Sequence, residues 1–348
     1  MISIGAHQIG ASAPPFVIAE LSGNHDGSLA KALATVEAIA ASGAHALKLQ
    51  TYTAETMTLD IAQREFVIDN PASLWFGRTL YSLYHQAHTP WEWHEPLFRR
   101  ARELGLVAFS SPFDATAVEF LESLDVPAYK IASFENVDLD LVRRVARTGK
   151  PVIISTGLAT LAEINEAVVA AREAGCGSLV LLKCTSNYPA DPSSSNLRTL
   201  PYLRDLFGCE VGLSDHTLGI AVAIASVAAG ATVIEKHVTL DRASGGVDAA
   251  FSLEPAELAQ LVQSARTAWQ ALGAVQIAPT DEEKSSLVFR RSLYVCKDLA
   301  PGDVLTAENL RAIRPGLGLA PKHRAMLLGK RVNRAVARGT PMSWELVG

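Results

Sequence analysis

The sequence predicts an α/β fold, a (β/α)8 TIM-type barrel followed by a small β-rich C-terminal domain. Eight short apolar runs recur between Phe16 and His237, helix-like stretches separate them, and nearly every run stops at a residue that can do chemistry. The runs are Phe16–Glu20, Ala46–Gln50, Val107–Ser111, Ala128–Ser133, Val152–Ser155, Leu179–Thr185, Val211–His216 and Val233–His237. Apolar runs of this length, separated by helices, read as buried parallel strands. Polar residues at the exits of eight such strands mark an active site on the C-terminal face of a barrel.

Residues 1–15 read as a small hairpin, with turn-forming Gly5, Gly10 and Pro14. The first helix spans Ser28 to Ala41 and closes at Gly43, a good C-cap residue. Pro90 to Leu104 has proline in its first turn and ends at Gly105, and Asp114 to Leu124 starts on a carboxylate. Further helices are expected at 138–148, 160–174, 197–207, 219–229 and 255–272. A doubly wound open sheet would need a glycine-rich dinucleotide turn after the first strand, and Gly23-Asn24-His25-Asp26-Gly27 lacks that spacing.

Residues 51–89 break the rhythm, being far longer than an ordinary βα loop. They carry Tyr52, Trp75, Phe76, Tyr81 and Tyr84, which either shape a substrate pocket at the barrel rim or fill a small core of their own. The domain reading is a barrel over 1–278, a polar linker over 279–289 and a small domain over 290–348. Within the last, Lys297–Thr306 is partly echoed by Val336–Ser343, which suggests two similar halves of short strands and turns.

The 348 residues are 49% hydrophobic and 19% charged, enough for one large core and a smaller one. A net charge of −5 argues against general nucleic-acid affinity, and an anionic substrate would need local positive charge. Four cysteines without CxxC spacing, no basic-then-apolar leader and no run of membrane-spanning length suggest a reduced, cytoplasmic protein with no membrane partner.

His216 and His237 end the seventh and eighth runs, so adjacent strands would bring two imidazoles within reach of one divalent ion. Such a pair with open positions suits Mn, Fe, Co or Zn, and Mg less readily; a lone strand-end histidine is more often structural. Lys48 and Lys130, with Ser111, Ser133, Ser155, Ser186 and Ser214 around the same mouth, form a cradle for phosphate or carboxylate. Any one serine is equally explained by helix capping. The acid–base candidates are Glu20, Asp26, Glu135, Asp215, Glu235 and Asp248, and alternation places Glu235 on the face of His237, where it could orient the metal site. No hydrolase elbow, P-loop or HExxH segment is present.

The segments Ala19-Glu-Leu-Ser-Gly-Asn24-His25, Leu47-Lys48-Leu-Gln50, Tyr129-Lys130-Ile-Ala-Ser133-Phe-Glu135, Ile154-Ser155-Thr-Gly157, Cys184-Thr-Ser-Asn-Tyr188-Pro, Gly212-Leu-Ser214-Asp-His216 and Glu235-Lys-His237 resemble the sialic acid synthase family. Arg314-Pro-Gly-Leu-Gly resembles the signature of that family's C-terminal antifreeze-like (SAF) domain. The resemblance implies condensation of phosphoenolpyruvate with an open-chain N-acetylated amino sugar. The rim segments Leu74–Tyr81 and Thr89–His94 point within the family to 2,4-diacetamido-2,4,6-trideoxy-L-altropyranose. The acceptors leading to N-acetylneuraminate or legionaminate are the alternatives, and a non-catalytic sugar-binding protein is a third reading.

Carried onto matching positions, Lys48, Ser111, Lys130, Ser133, Ser155, Ser186 and Ser214 would hold phosphoenolpyruvate, and Gln50, Glu135, Tyr188 and Asp248 would face the sugar. Asp26, Glu135, Glu235, His216 and His237 would be catalytic, with His216 and His237 on a divalent metal, Mn2+ first and Mg2+ or Co2+ as alternatives. Arg314 would reach the sugar from a partner subunit, implying a domain-swapped homodimer.

Overall fold

The structure is a computed structural model that describes residues 2–348. An N-terminal hairpin pairs β1 (Ile2–Ile4) with β2 (His7–Ile9). Eight parallel strands follow: β3 (Phe16–Glu20), β4 (Ala46–Thr51), β5 (Val107–Pro112), β6 (Tyr129–Ile131), β7 (Val152–Ser155), β8 (Leu179–Cys184), β9 (Glu210–Asp215) and β10 (Val233–His237). They form a closed barrel, with β10 returning to β3 in the register Val233↔Phe16. Burial on both faces explains the near-continuous apolar runs, since one side of each strand packs inside the barrel and the other against a helix.

The helices stand where their caps put them. Ser28 accepts from the Lys31 amide to start Leu29–Ala41, and Asp114 accepts from the Thr116 and Ala117 amides to start Ala115–Ser123. Thr160 and Glu163 form a reciprocal capping box at the start of Leu161–Glu173. The remaining large helices are Trp91–Glu103, Leu139–Ala146, Thr199–Phe207, Ala221–Ala228 and Pro255–Leu272. Gly212 is the one residue that fits its place in β9, because a Cβ there would run into the Val233 carbonyl of β10 and the Leu182 side chain of β8.

The long segment after β4 folds into short pieces, Ala54–Met57, a 3-10 turn at Arg64–Phe66 and Leu80–Ala87, joined by a Val67–Thr79 bridge. Among the described residues no helix is long and apolar enough to cross a membrane.

The chain divides into two compact units, Met1–Gly273 and Ala274–Gly348. Residues 279–289, read from sequence as a plain linker, hold a 3-10 helix over Glu282–Phe289. The second unit pairs β11 (Ser292–Val295) with β12 (Leu310–Ile313) around Leu293, Val295, Leu310, Val332 and Met342. Its two echoed stretches meet directly, Leu299 and Val336 exchanging both backbone hydrogen bonds at 2.9 Å.

Candidate active site

The C-terminal ends of the barrel strands open into a cavity of about 620 Å³. Strand alternation turns Lys48, Lys130, Ser214, Glu235 and His237 into it, and all five are buried. The Lys48 ammonium sits 2.9 Å from Glu20 Oε1 and 3.5 Å from Glu235 Oε2, and the Lys130 ammonium 3.3 Å from Glu235 Oε1. Ser214 donates to Glu235 at 3.0 Å, and Gln50 donates to Glu20 at 2.7 Å. Burial alone would raise both carboxyls. The lysines outweigh it, and both Glu20 and Glu235 are held well below the usual carboxylate range. Burial lowers Lys130, while the two carboxylates overcome burial and raise Lys48.

The serines gather as the cradle reading expected, with differences in reach. Ser133, Ser155 and Ser214 line the cavity, and Ser155 Oγ is buried without a hydrogen-bond partner, a donor with nothing yet to bind. Ser111 lies beside Lys48 Nζ at 3.4 Å, below the lining, and Ser186 donates to Ser133 at 2.8 Å. Gly157 makes that last contact possible, since a Cβ there would occupy the space of Ser186 Oγ and Ser133 Cβ. Asn136 fixes the exit of β7 by donating to the Ser155 and Gly157 carbonyls, both at 3.1 Å.

The two histidines meet with ring centroids 5.4 Å apart. His216 Nδ1 lies 2.9 Å from the Thr185 carbonyl, a contact that places a proton on Nδ1 and makes Nε2 the nitrogen that could ligate. His237 Nε2 is 3.3 Å from Glu20 Oε2, and its Nδ1 lies 3.3 Å from Ser22 Oγ, which itself donates to Asp248. Burial lowers the His237 pKa against the pull of Glu20 and Asp248. Two imidazoles beside a carboxylate are a donor set that fits a divalent ion in their neutral form; burial lowers the His216 pKa, but the Cys184 thiol and the Thr185 carbonyl outweigh it and raise it. Among the described residues no group of three or more His, Cys, Asp or Glu side chains has metal-holding geometry.

The sugar-facing candidates of the barrel unit share this cavity. Gln50, Glu135, Tyr188 and Asp248 all line it, and the Tyr188 ring lies 4.4 Å from that of His216. Glu135 is mostly buried with one oxygen unpartnered, and burial pushes its pKa up to about 7 against the pull of Lys130. The segment after β4 supplies the opposite wall through Met57, Ile68, Trp75, Leu80, Leu83 and Tyr84. Trp75 Nε1 anchors it by donating to the Val247 carbonyl at 3.2 Å. Both readings of the rim aromatics hold, because Tyr52 packs on Tyr84 and Phe113 while all three face the cavity.

Three sequence readings change. Asp26 is exposed outside the cavity lining and pairs with Lys31, because it sits in a left-handed turn at φ 49° that carries it off the strand axis. Asp215 points to the outer face of the barrel and pairs with Lys236 at 3.0 Å, as alternation from Ser214 requires. Glu235 makes no hydrogen bond to an imidazole and serves instead as counter-ion to both lysines. Glu20, an acid–base candidate with no assigned partner, is the hub joining Lys48, Gln50 and His237; its place at the end of the first apolar run was the available signal. Arg314 is exposed and lies just beyond β12 in the second unit.

Fold and site together define a barrel enzyme that receives an anionic substrate beside a pair of imidazoles. The chain belongs to the NeuB family, whose model matches residues 35–277, and an SAF domain matches residues 290–347. It is 43% identical over 332 residues to the pseudaminic acid synthase of Helicobacter pylori, covering 95% of this chain and 97% of that one. It is 37% identical to the N,N'-diacetyllegionaminic acid synthase of Legionella pneumophila, covering 97% and 95% of the two chains. Among solved structures, the N-acetylneuraminic acid (sialic acid) synthetase of Leptospira borgpetersenii, in complex with citrate, superposes with a TM-score of 0.74 at 31% identity, covering 82% of this chain and 94% of that one.

Proposed function

We propose that this chain is a pseudaminic acid synthase, joining phosphoenolpyruvate to 2,4-diacetamido-2,4,6-trideoxy-L-altropyranose and water to give pseudaminic acid and phosphate. The observation that carries this reading is 43% identity across 95% of the chain to a synthase of that name, on a cavity floor built for an anion.

Lys48 and Lys130 take the phosphate and carboxylate of phosphoenolpyruvate, with the Ser133, Ser155 and Ser214 hydroxyls as further donors. The enol carbon attacks the sugar aldehyde, and Glu135, half protonated near neutral pH, gives its proton to the aldehyde oxygen as the C–C bond forms. Water then adds to the oxocarbenium carbon and Glu235, held ionised by the lysines, accepts its proton. Phosphate leaves with cleavage of its bond to carbon, and the ketone forms.

The two ammonium groups are already balanced by Glu20 and Glu235, so an incoming anion meets a floor with little net charge. A divalent ion on His216 and His237 would restore the positive balance, and Mn2+ suits that donor pair. When bound it supplies Lewis-acid polarisation of a carbonyl oxygen. Arg314 completes the sugar site from the second unit of a partner subunit in a domain-swapped homodimer, and the enzyme works in the cytoplasm on small molecules.

Purified protein with phosphoenolpyruvate, the altro-configured sugar and Mn2+ is expected to release phosphate and a nonulosonate, to stop with EDTA and to recover with added Mn2+. Turnover of N-acetylmannosamine with none of the altro-configured sugar would overturn the pseudaminate reading. Arg314→Ala is expected to raise the sugar KM far more than that of phosphoenolpyruvate; equal effects would count against the cross-subunit contact.

A further inference from the structure

The cavity explains Glu20, Glu135, Glu235 and the two inward lysines, but not the third buried lysine. Lys236 and Asp215 point away from the substrate, and their side chains are only 1% and 2% exposed. They are direct partners in the parallel register of β10 and β9, so their 3.0 Å ion pair is a rung between neighbouring strands. Each sits one residue before a cavity histidine, Asp215 before His216 and Lys236 before His237.

The rung also grips the backbone beyond His216. Asp215 Oδ1 accepts from the Thr217 amide at 2.9 Å, and Lys236 Nζ donates to the Thr217 carbonyl. Both backbone polar groups of Thr217 are thus held by the pair, and the His216 carbonyl is taken by the Ala190 amide at 3.0 Å. His216 lies past the end of β9, where ladder hydrogen bonds to β10 stop, and its backbone would otherwise be free to drift relative to β10. On the inner face no hydrogen bond joins the two imidazoles; their rings stand 5.4 Å apart, with the Phe251 ring packed against both at 6.3 Å from His216 and 5.1 Å from His237.

We propose that Lys236 and Asp215 are positioning residues, an outer-face clasp that fixes the spacing of His216 and His237 for a divalent cation. The proposal rests on the metal reading of those two histidines. The clasp acts through the backbone and touches neither substrate nor ion. A buried pair is suited to the task because parting the two groups would leave each charge buried without its counter-charge, so the two strand ends are held at one separation.

The test uses the full-length protein stripped of metal and titrated with Mn2+ alone, free ion being read by electron paramagnetic resonance, with thermal unfolding measured in parallel. Wild type is expected to bind one Mn2+ per chain. Asp215→Asn keeps the Thr217 amide contact and loses the charge, and its Mn2+ affinity is expected to fall about 10- to 100-fold. Lys236→Arg with Asp215 intact, which retains the ion pair, should keep most of the wild-type affinity. Where Asp215→Asn fails to fold, the double variant Asp215→Leu with Lys236→Met removes both charges together and is expected to fold with the same weakened binding. A folded Asp215→Asn or double variant with wild-type Mn2+ affinity and only a lower Tm would make the pair merely structural and overturn the proposal. Wild type that binds no Mn2+ would instead overturn the metal reading, and the clasp with it.

Discussion

The floor and the wall of the cavity are built by different means. The floor is a ring of strand ends whose side chains are aimed by alternation and locked by charge: Lys48, Lys130, Glu20 and Glu235 neutralise one another out of reach of solvent. The wall is an excursion after β4 that presents Met57, Ile68, Leu80 and Leu83, and it is held by contacts such as Trp75 on the Val247 carbonyl. The floor therefore recognises charge, while the wall recognises shape and can be altered piecemeal. An enzyme that keeps one substrate and varies the other is well served by that division.

The comparison breaks most severely at the floor. Lys130→Met removes one of two cavity ammonium groups, and kcat/KM for phosphoenolpyruvate is expected to fall by about 10²–10³-fold in steady-state phosphate release. Lys48→Met leaves Glu20 and Glu235 facing one another with a single cation, and urea unfolding at pH 7 should show a loss of about 3–5 kcal/mol.

Glu135 sharpens the contrast through pH. Its pKa rises from 4.5 to about 7 on folding, so the protonated form favours the folded state. That stabilisation is complete below about pH 4.5 and is lost as pH rises through 7, a difference of about 3 kcal/mol. Glu135→Gln, always neutral, should match wild type near pH 5 and exceed it near pH 8 in thermal unfolding. Glu20 and Glu235 have the opposite sign: their depressed pKa values stabilise the fold above the ordinary carboxylate range and that contribution is lost on acidification. The smallest effect on catalysis is expected at the wall, where Leu83→Asn should raise the sugar KM about 10-fold, near 1.4 kcal/mol.

The same division explains what could be read in advance. The barrel was legible because each strand is a short apolar run and several helices begin on a residue such as Ser28, Asp114 or Thr160 that caps them. Lys48 and Lys130 were legible because they stand near strand exits among the cradle serines, whereas Lys236, in the same kind of run, turns to the outer face. Glu235 was placed on the right face but with the wrong neighbour, since alternation gives direction and not which of several inward groups it meets. Asp26 was misplaced because a left-handed turn after β3 is invisible to periodicity. The wall was legible as a long aromatic rim after the second run, but its anchor was hidden because Trp75 and Val247 lie far apart in the chain and only the closed barrel brings them together.

The most direct test of the division is the pair of Michaelis constants measured for both substrates in Lys130→Met and Leu83→Asn. The account predicts a crossed result: Lys130→Met raises the phosphoenolpyruvate KM and spares the sugar, and Leu83→Asn raises the sugar KM and spares phosphoenolpyruvate. Both variants shifting both constants by the same factor would contradict it.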